Sequence, residues 1–391
     1  MSRRKVTAVA VAGGLALLIA ALVVGVVVGR STRTGDPAAV GTPTGTSTSP
    51  ASPAAAGLRP YTTTEAGRAF LSRWVQGDGR VVRTDTGGDT VSQGQAYALL
   101  VAVGLGDRST FDAVWTWTQN ALQRPDGLLS RQWDAGRVVD PSSASDADLD
   151  TARALVLAGG RFGDPRYTAA GTALGQAVLD LETVQTGAGR ILTAGQWAMT
   201  EPYPYDPGYA SPGAIAVLGA ASGDPRWAEL AAGSRAITAA LLTEAPLPPD
   251  WAQVHADGTV EAMPGPQGRG QSVRYGYDAA RTSIRLAESC DPADRSLAAG
   301  MAGALDRGQD GAELDLGGTR LGTATSVVTA TAQAAAVAAA GDTARAVQQL
   351  ADGDSLAQSV PSWYGAAWAA LGHLLLTDDA LGGCPPLPAT S

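Results

Sequence analysis

A short turn motif recurs along this chain of 391 residues and limits the folds that are open to it. Residues 163–167 are Gly-Asp-Pro-Arg-Tyr, and residues 223–227, which lie 60 positions later, are Gly-Asp-Pro-Arg-Trp. Weaker copies begin at Gly106, Cys290 and Gly341. Glycine suits the left-handed residue that ends a helix, aspartate caps the next helix, and proline fits its first position. Each copy therefore predicts a tight turn between two helices.

Apolar runs of helical composition flank every one of these turns, and alternating strand patterns are scarce. The runs before the turns cover residues 93–104, 147–160, 212–222, 279–288 and 325–340, and the runs after them cover 109–122, 166–180, 226–241, 293–306 and 343–351. Runs at 63–75 and 363–376 complete a set of twelve. Six helix pairs predict either a solenoid or an all-α fold, the (α/α)6 barrel. We favour the barrel because a closed ring has no end that needs a capping repeat.

The runs that precede the turns are the more apolar, so we assign them to the inner ring. Their N-terminal ends would then meet at one mouth of the barrel. Polar and aromatic residues gather at these helix starts, at 92–95, 145–148, 209–211, 277–279, 323–325 and 362–364. Asp146 and Asp278 are among them, and each would either cap its helix or carry chemistry.

The N-terminal part of the chain has the composition of a targeting segment. Basic residues at 3–5 precede an uncharged stretch, 6–29, that is long enough to span a hydrocarbon core of roughly 30 Å. We interpret residues 1–30 as a membrane anchor, with a cleaved signal sequence as the alternative, and expect the rest of the chain outside the cytoplasm. Residues 31–59 are rich in Ser, Thr, Pro and Ala and are predicted to be a disordered linker. Residues 60–388 are predicted to be the barrel domain.

The amino-acid composition excludes several kinds of catalytic and binding chemistry. The chain has one lysine, Lys5, with two histidines and two cysteines, which excludes a Walker phosphate loop and Schiff-base chemistry. The histidines and cysteines lack the spacing of a metal site, so we expect no metal and no cofactor. A net charge of −9 argues against nucleic acid as a partner. Cys290 and Cys384 are expected to form a disulfide in an exported chain, with two unpaired thiols as the alternative.

Several motifs at the predicted mouth resemble those of glycoside hydrolase family 8, a family of inverting β-glycanases. Residues 91–97, Val-Ser-Gln-Gly-Gln-Ala-Tyr, resemble the family's Ser-Glu-Gly-Gln-x-Tyr segment, and residues 143–148, Ser-Ala-Ser-Asp-Ala-Asp, resemble its Ala-Ser/Thr-Asp-Gly/Ala-Asp segment. Residues 205–209, Tyr-Asp-Pro-Gly-Tyr, resemble the family's Asn-Pro-Ser-Tyr, and residues 249–251 and 277–281 complete the set. The resemblance implies an (α/α)6 barrel that hydrolyses β-1,4-glucan or a related polysaccharide.

Carried over residue by residue, the resemblance implies roles at the mouth. Asp278 falls on the general base that activates the attacking water, and Asp146 falls on the carboxylate that grips the sugar at the point of cleavage. Arg281 and Tyr209 fall on groups that orient the base and the water, and Arg281 lies one helical turn from Asp278. Other predicted substrate contacts are Trp133, Tyr277, Gln95 and Trp363.

The main departure from the family pattern is Gln93, which stands where the family has the glutamate that acts as general acid. Inverting glycosidases need two carboxyl groups, one to protonate the leaving oxygen and one to deprotonate water. An amide has no transferable proton, and the loss of general acid help costs about 10²–10⁴-fold in rate. Asp206 and Gly208 also depart from the family's Asn and Ser. Glu201 is a weak candidate for a replacement acid, whereas Asp148 should point away from the mouth.

Two functions therefore stay open. The first is an exported, family 8-like hydrolase with weakened activity, and the second is a catalytically inactive glycan-binding protein at the cell surface. An epimerase or lyase of the same shape is disfavoured because His255 and His373 lie in no motif of the mouth. In either case we expect a monomer whose partner is a polysaccharide and which meets the membrane through its N-terminal segment.

Overall fold

The computed structural model describes residues 58–270 and 272–389, and within them the chain forms twelve α-helices. The helices are α1 (Thr63–Trp74), α2 (Ser92–Leu105), α3 (Arg108–Ala121), α4 (Ser145–Phe162), α5 (Pro165–Leu181), α6 (Pro212–Ser222), α7 (Arg226–Glu244), α8 (Ala280–Ala287), α9 (Pro292–Gly308), α10 (Val327–Ala339), α11 (Thr343–Ser359) and α12 (Trp363–Thr377). The predicted anchor and nearly all of the predicted linker lie outside the described residues. Among the described residues, no helix is both long enough and apolar enough to cross a membrane.

The repeated turn motif has the structure that its sequence predicts. Gly106, Gly163 and Gly223 end α2, α4 and α6 in the left-handed conformation, with φ of 72°, 65° and 68°. Asp107 and Asp164 cap α3 and α5 by accepting a backbone N–H of the first turn. The chain therefore reverses at each copy and returns as the next helix of a pair.

Burial separates the helices into two rings. Twelve of the thirteen residues of α10 are buried, whereas only four of the fourteen residues of α3 are buried. The even-numbered helices form the inner ring and the odd-numbered helices form the outer ring. The helix α6 is the least enclosed inner helix, with four of its eleven residues buried. The predicted (α/α)6 barrel, with the runs before the turns on the inside, is confirmed.

Eight short strands, which the sequence analysis did not predict, form three small antiparallel sheets within the described residues. The first sheet contains β1 (Thr90–Val91), β2 (Gln132–Asp134) and β3 (Arg137–Asp140); the second contains β4 (Thr183–Thr186) and β5 (Gly189–Leu192); the third contains β6 (Tyr203–Tyr205), β7 (Trp251–Val254) and β8 (Val260–Met263). All eight lie in connections that lead from an outer helix to an inner helix. They therefore belong to the end of the barrel at which the inner helices begin, which is the predicted mouth.

The C-terminal segment lies at the opposite end, which we call the floor of the barrel. Cys384 forms a disulfide with Cys290, 94 positions earlier, as predicted. The N–H of Cys384 donates to the carbonyl of Glu288 at 2.7 Å. The guanidinium of Arg153 donates to the Glu288 carboxylate at 2.7 Å and to the carbonyl of Leu381 at 2.6 Å. Because Arg153 and Glu288 are buried, these contacts seal the floor with charged groups that satisfy one another.

Candidate active site

Arg281 is the centre of the charged groups at the mouth. It lies in the first turn of α8, and its side chain is 1% exposed. Its guanidinium donates to Asp146 Oδ2 at 2.6 Å, to Asp278 Oδ1 at 2.8 Å and to Asp206 Oδ2 at 2.9 Å. Burial acts to lower the pKa of Arg281, but nearby acidic groups, Asp206 foremost, outweigh burial and hold this pKa well above its ordinary value. One permanent cation thus gathers three aspartates from different parts of the chain.

Asp278 lies in the turn just before α8, and it is the most accessible of the three aspartates, with a side chain that is 37% exposed. It does not cap the helix, since the N-cap position belongs to Ala279 and no side chain caps it. Burial raises the pKa of Asp278, the charge of Arg281 opposes this shift, and the charge of Asp146 adds to it. A carboxylate that is fixed in place but open to solvent can accept a proton from a water molecule.

Gln93 lies at the start of α2 and contacts Asp146. Its Nε2 donates to Asp146 Oδ2 at 2.6 Å, and this is the same oxygen that accepts from Arg281. Asp146 is buried and caps no helix, so its alternative role as an N-cap is not seen. Its other oxygen, Oδ1, is buried and has no hydrogen-bond partner in the described part of the chain. A hydroxyl group of a ligand could therefore reach this acceptor only if the side chains around it move.

Asp206 is a member of the site for which the sequence analysis proposed no role. It is buried, its Oδ1 accepts the N–H of Gly208 at 2.7 Å, and its Oδ2 accepts from Arg281. Burial raises the pKa of Asp206 well above its ordinary value, against the attraction of Arg281. The one sequence signal was the aspartate itself, at a position where the family pattern has asparagine.

Two of the predicted substrate contacts are tyrosines that line the site. The ring of Tyr209 lies 4.8 Å from the guanidinium carbon of Arg281 and meets the ring of Trp251 edge-on at 5.9 Å. Tyr277 is 43% exposed, and its ring lies 6.3 Å from that of Tyr364. Tyr209 is thus placed beside the charged centre, and Tyr277 offers an accessible aromatic surface close to Asp278 in the chain.

The other three predicted contacts differ in exposure. Trp133 is partly exposed, and the guanidinium carbon of Arg80 lies 4.3 Å from its ring centre. Trp363 is only 6% exposed, with Arg83 above its ring, so it packs in the wall and presents little surface to a ligand. Gln95 is fully buried, and its amide bonds to backbone and side-chain groups beneath the mouth, which does not fit the prediction that it contacts substrate.

Neither carboxyl that was considered as a replacement acid is placed for that role. Glu201 is exposed and its Oε1 accepts the N–H of Ala256, in the turn between β7 and β8, at 2.9 Å. Asp148 is fully buried, and its Oδ1 accepts the N–H of Leu129 at 2.8 Å, so it is enclosed in the barrel wall and closed to a ligand. Within the described residues, no three acidic, histidine or cysteine side chains are grouped as metal ligands would be.

Comparison with solved structures finds the same fold in other proteins. An endo-1,4-D-glucanase from Vibrio fischeri matches 82% of this chain and 98% of its own, with a TM-score of 0.69 and 20% identity. A β-1,3-1,4-glucanase from Paenibacillus sp. X4 matches 82% of this chain and 94% of its own, with a TM-score of 0.69 and 19% identity. At these identities the likeness establishes the barrel architecture.

Sequence relatives establish the family. A probable endoglucanase of Novacetimonas hansenii is 31% identical over 237 residues, which cover 58% of this chain and 67% of that protein. An endoglucanase of Escherichia coli O157:H7 is 31% identical over 211 residues, but this match spans only 55% of the relative's length. The protein-family model described as "Glycosyl hydrolases family 8" matches residues 56–372, which include all but the last turn of the barrel. The chain that carries the Arg281 site therefore belongs to glycosyl hydrolase family 8.

Proposed function

We propose that this protein is an exported family 8 hydrolase of β-1,4-glucan or a related polysaccharide, which works by single displacement with weakened activity. Several relatives named as endoglucanases support the choice of substrate. The observation that carries the proposal is the 2.6 Å hydrogen bond from Gln93 Nε2 to Asp146 Oδ2. It puts an amide, instead of an acid, beside the carboxylate that is expected to grip the sugar.

Two aspartates support the half-reaction that activates water. Asp278 is accessible, and the positive charge of Arg281 at 2.8 Å favours its ionised form, which a base must have. Asp146 Oδ1 has no hydrogen-bond partner among the described residues, so it could accept a hydroxyl of the sugar once the side chains that cover it move. The leaving oxygen, however, would have to take its proton from water, because Gln93 has none to give. We therefore expect turnover about 10²–10⁴-fold below that of an enzyme with the acid.

One observation favours an alternative, a protein that binds glycan without cleaving it. The Gln93 amide is held by Asp146, and the two candidate replacement acids are bonded elsewhere. The cleft would then keep its aromatic and charged groups for binding alone. Aromatic surfaces such as that of Tyr277 suit the apolar faces of sugar rings in either case.

A side-by-side assay of the purified native protein and its Gln93→Glu variant separates these functions. Both are incubated with cellulose and with mixed-linkage glucan, reducing ends are counted, and NMR follows the anomer of the first product. Asp278→Asn serves as the control that lacks the base. We expect Gln93→Glu to be faster by about 10²–10⁴-fold, with inversion at the anomeric carbon.

Each other result has a distinct meaning. Equal turnover of native protein and Gln93→Glu would refute the weakened-acid proposal. A Gln93→Glu protein that binds glucan but stays inactive supports the glycan-binding alternative. Absence of binding to any β-glycan by either protein would remove the carbohydrate assignment itself.

We infer further that residues 1–30 hold the barrel at the outer face of the cell membrane and that the protein is a monomer. The basic residues at 3–5 followed by the uncharged stretch support this orientation. Protease added to intact cells should digest the barrel and leave a membrane-bound N-terminal fragment. Recovery of the barrel in the culture medium would indicate the cleaved signal sequence instead.

A further inference from the structure

A partly buried carboxylate, that of Asp250, holds the segment that carries Asp278. Asp250 directly precedes β7, and its side chain is 14% exposed. Its Oδ1 accepts the N–H of Gly276 at 2.8 Å and that of Ala279 at 2.9 Å, so one oxygen binds the backbone on both sides of Asp278. The N–H of Asp250 also donates to the carbonyl of Arg274 at 2.8 Å. Three hydrogen bonds thus fix a turn that no helix contains.

The glycine at position 276 shows how close this contact is. A Cβ added to Gly276 would lie 2.6 Å from Asp250 Oδ2 and 3.2 Å from Oδ1. Any other residue would push the carboxylate away from the two N–H groups that it binds. The contact therefore needs both the carboxylate of Asp250 and a glycine at position 276.

The next residue of the chain also acts on the base. Burial raises the pKa of the Asp278 carboxyl, and the Trp251 side chain acts to lower it. The Trp251 ring packs edge-on against Tyr209, 5.9 Å away. The start of β7 therefore acts on Asp278 twice, through Asp250 on its backbone and through Trp251 on its pKa.

The two carboxylates also influence each other's charge. Burial raises the pKa of Asp250 to about 6, with a further contribution from the charge of Asp278, while the N–H groups of Ala279 and Gly276 and the charge of Arg274 oppose it. Arg274 in turn forms an ion pair with Glu313 at 3.3 Å. Because the charge of Asp278 raises the pKa of Asp250, the two carboxyl groups titrate as a coupled pair.

We propose that Asp250 is the positioning residue of the base: it fixes the turn that presents Asp278 to the cleft. Its importance for hydrolysis rests on the function proposed above. The position of the turn and the coupling of the two charges are properties of the folded protein, and they can be tested without turnover.

The tests use variants of the purified full-length protein. Asp250→Asn keeps an oxygen acceptor and removes the charge, whereas Asp250→Ala removes both. Asp257→Asn is the matched control, because Asp257 also accepts a backbone N–H, that of Thr259 at 2.9 Å, but lies in the exposed turn between β7 and β8. In the first test, carbon-13 NMR follows the aspartate carboxyl groups of the native protein, Asp278→Asn and Asp257→Asn through a pH titration.

We expect the pKa of Asp250, whose signal is identified by its loss in Asp250→Asn, to fall in Asp278→Asn and to stay at its native value in Asp257→Asn. The direction follows because removal of the charge of Asp278 makes the ionised form of Asp250 less costly. An unchanged Asp250 pKa in Asp278→Asn overturns the proposed contact between Asp250 and the turn that carries Asp278.

The second test uses 2,4-dinitrophenyl β-cellotrioside, whose phenolate leaves without protonation, so that Gln93 does not limit the rate. In Asp250→Asn, which keeps an oxygen acceptor for the two N–H groups, we expect a smaller loss of kcat than in Asp250→Ala. In Asp250→Ala we expect kcat to fall on the order of 10–100-fold with little change in KM, because the base is misplaced. Native kcat in Asp250→Ala overturns the positioning role. If the native protein itself fails to cleave this substrate, the proposed function is contradicted, and the NMR titration still decides the role of Asp250.

Discussion

Replacement of Arg281 by methionine removes the cation that binds Asp146, Asp206 and Asp278, and it keeps an apolar side chain of similar length. Asp206 would then be buried with the N–H of Gly208 as its remaining partner among the contacts described, and the carboxylates of Asp146, Asp206 and Asp278 would face one another. Loss of one partner from a buried ion pair costs about 3–5 kcal/mol. We expect the free energy of unfolding at pH 7 to fall by about this amount.

This loss should shrink in acid. Burial already raises the pKa of Asp206 while Arg281 opposes the shift, so removal of Arg281 raises this pKa further. A group whose pKa is higher in the folded state stabilises the fold below its unfolded pKa, and this contribution is lost as the pH rises through the folded pKa. The Arg281→Met protein should therefore regain stability between pH 7 and pH 5, by at most about 1.4 kcal/mol per pH unit for one proton.

The assay is a double-mutant cycle with Asp206→Asn, whose amide oxygen can accept the Gly208 N–H without a charge. Urea unfolding of the four proteins at pH 7 and pH 5 gives the free energies, and we expect Asp206→Asn to recover stability only in the Arg281→Met background. Arg131→Met is the control, because Arg131 is 40% exposed in its ion pair with Asp140 and should cost less than about 1 kcal/mol. If Arg281→Met costs no more than this control, or if Asp206→Asn has the same effect in both backgrounds, the reasoning about the buried charges is wrong.

Two further predictions concern other parts of the barrel. Serine at both Cys290 and Cys384 should lower the free energy of unfolding by up to about 4–5 kcal/mol, because the disulfide joins positions 94 residues apart. A reductant should lower the urea midpoint of the native protein but not that of the serine variant. An equal response of both proteins would contradict this prediction. Burial raises the pKa of Glu182 from 4.5 to about 8, so the native fold should lose stability as the pH rises from about 5 to 8. Glu182→Gln keeps an acceptor for the Ser143 hydroxyl, which lies at 2.6 Å from the native carboxylate. The variant should reduce the change of unfolding free energy with pH by up to about 1.4 kcal/mol per pH unit. Unfolding of both proteins at pH 5 and pH 8 measures this change, and an equal change in both would disprove the prediction.

The helices could be predicted from the sequence because the signals that begin and end them are local. A glycine in the left-handed conformation, such as Gly163, and a capping aspartate, such as Asp164, act within one turn of the chain. The strands could not be predicted in the same way. Each has only two to four residues, and β1 pairs with β2 across the whole of α2 and α3, so the pairing exists only once the barrel has formed.

The site was predictable where helix geometry decides and unpredictable where distant loops meet. Residues two apart on a helix point about 200° away from each other, which places Asp148 opposite Asp146. The same rule places Gln95 opposite Gln93, so the prediction of a substrate contact for Gln95 was wrong for a reason that the sequence already contained. The roles of Asp206 and Asp250 could not be predicted from the sequence. An aspartate in a loop usually indicates a turn, and its contact with a distant element is known only from the structure.

The charges around Arg281 also indicate what a glutamate would do at position 93. Gln93 donates an N–H to Asp146 Oδ2, an oxygen that already accepts from Arg281. A glutamate there could make the same contact only in its protonated form, because two ionised carboxylates repel each other at this distance. Asp146, Asp206 and Asp278 already outnumber Arg281, the cation that binds all three, so a fourth carboxyl would keep its proton to higher pH. The side chain introduced by Gln93→Glu is therefore expected to be a protonated acid, the form that a general acid must have. Since glutamate and glutamine have nearly the same shape, a gain in turnover by this variant would come from the proton that it carries.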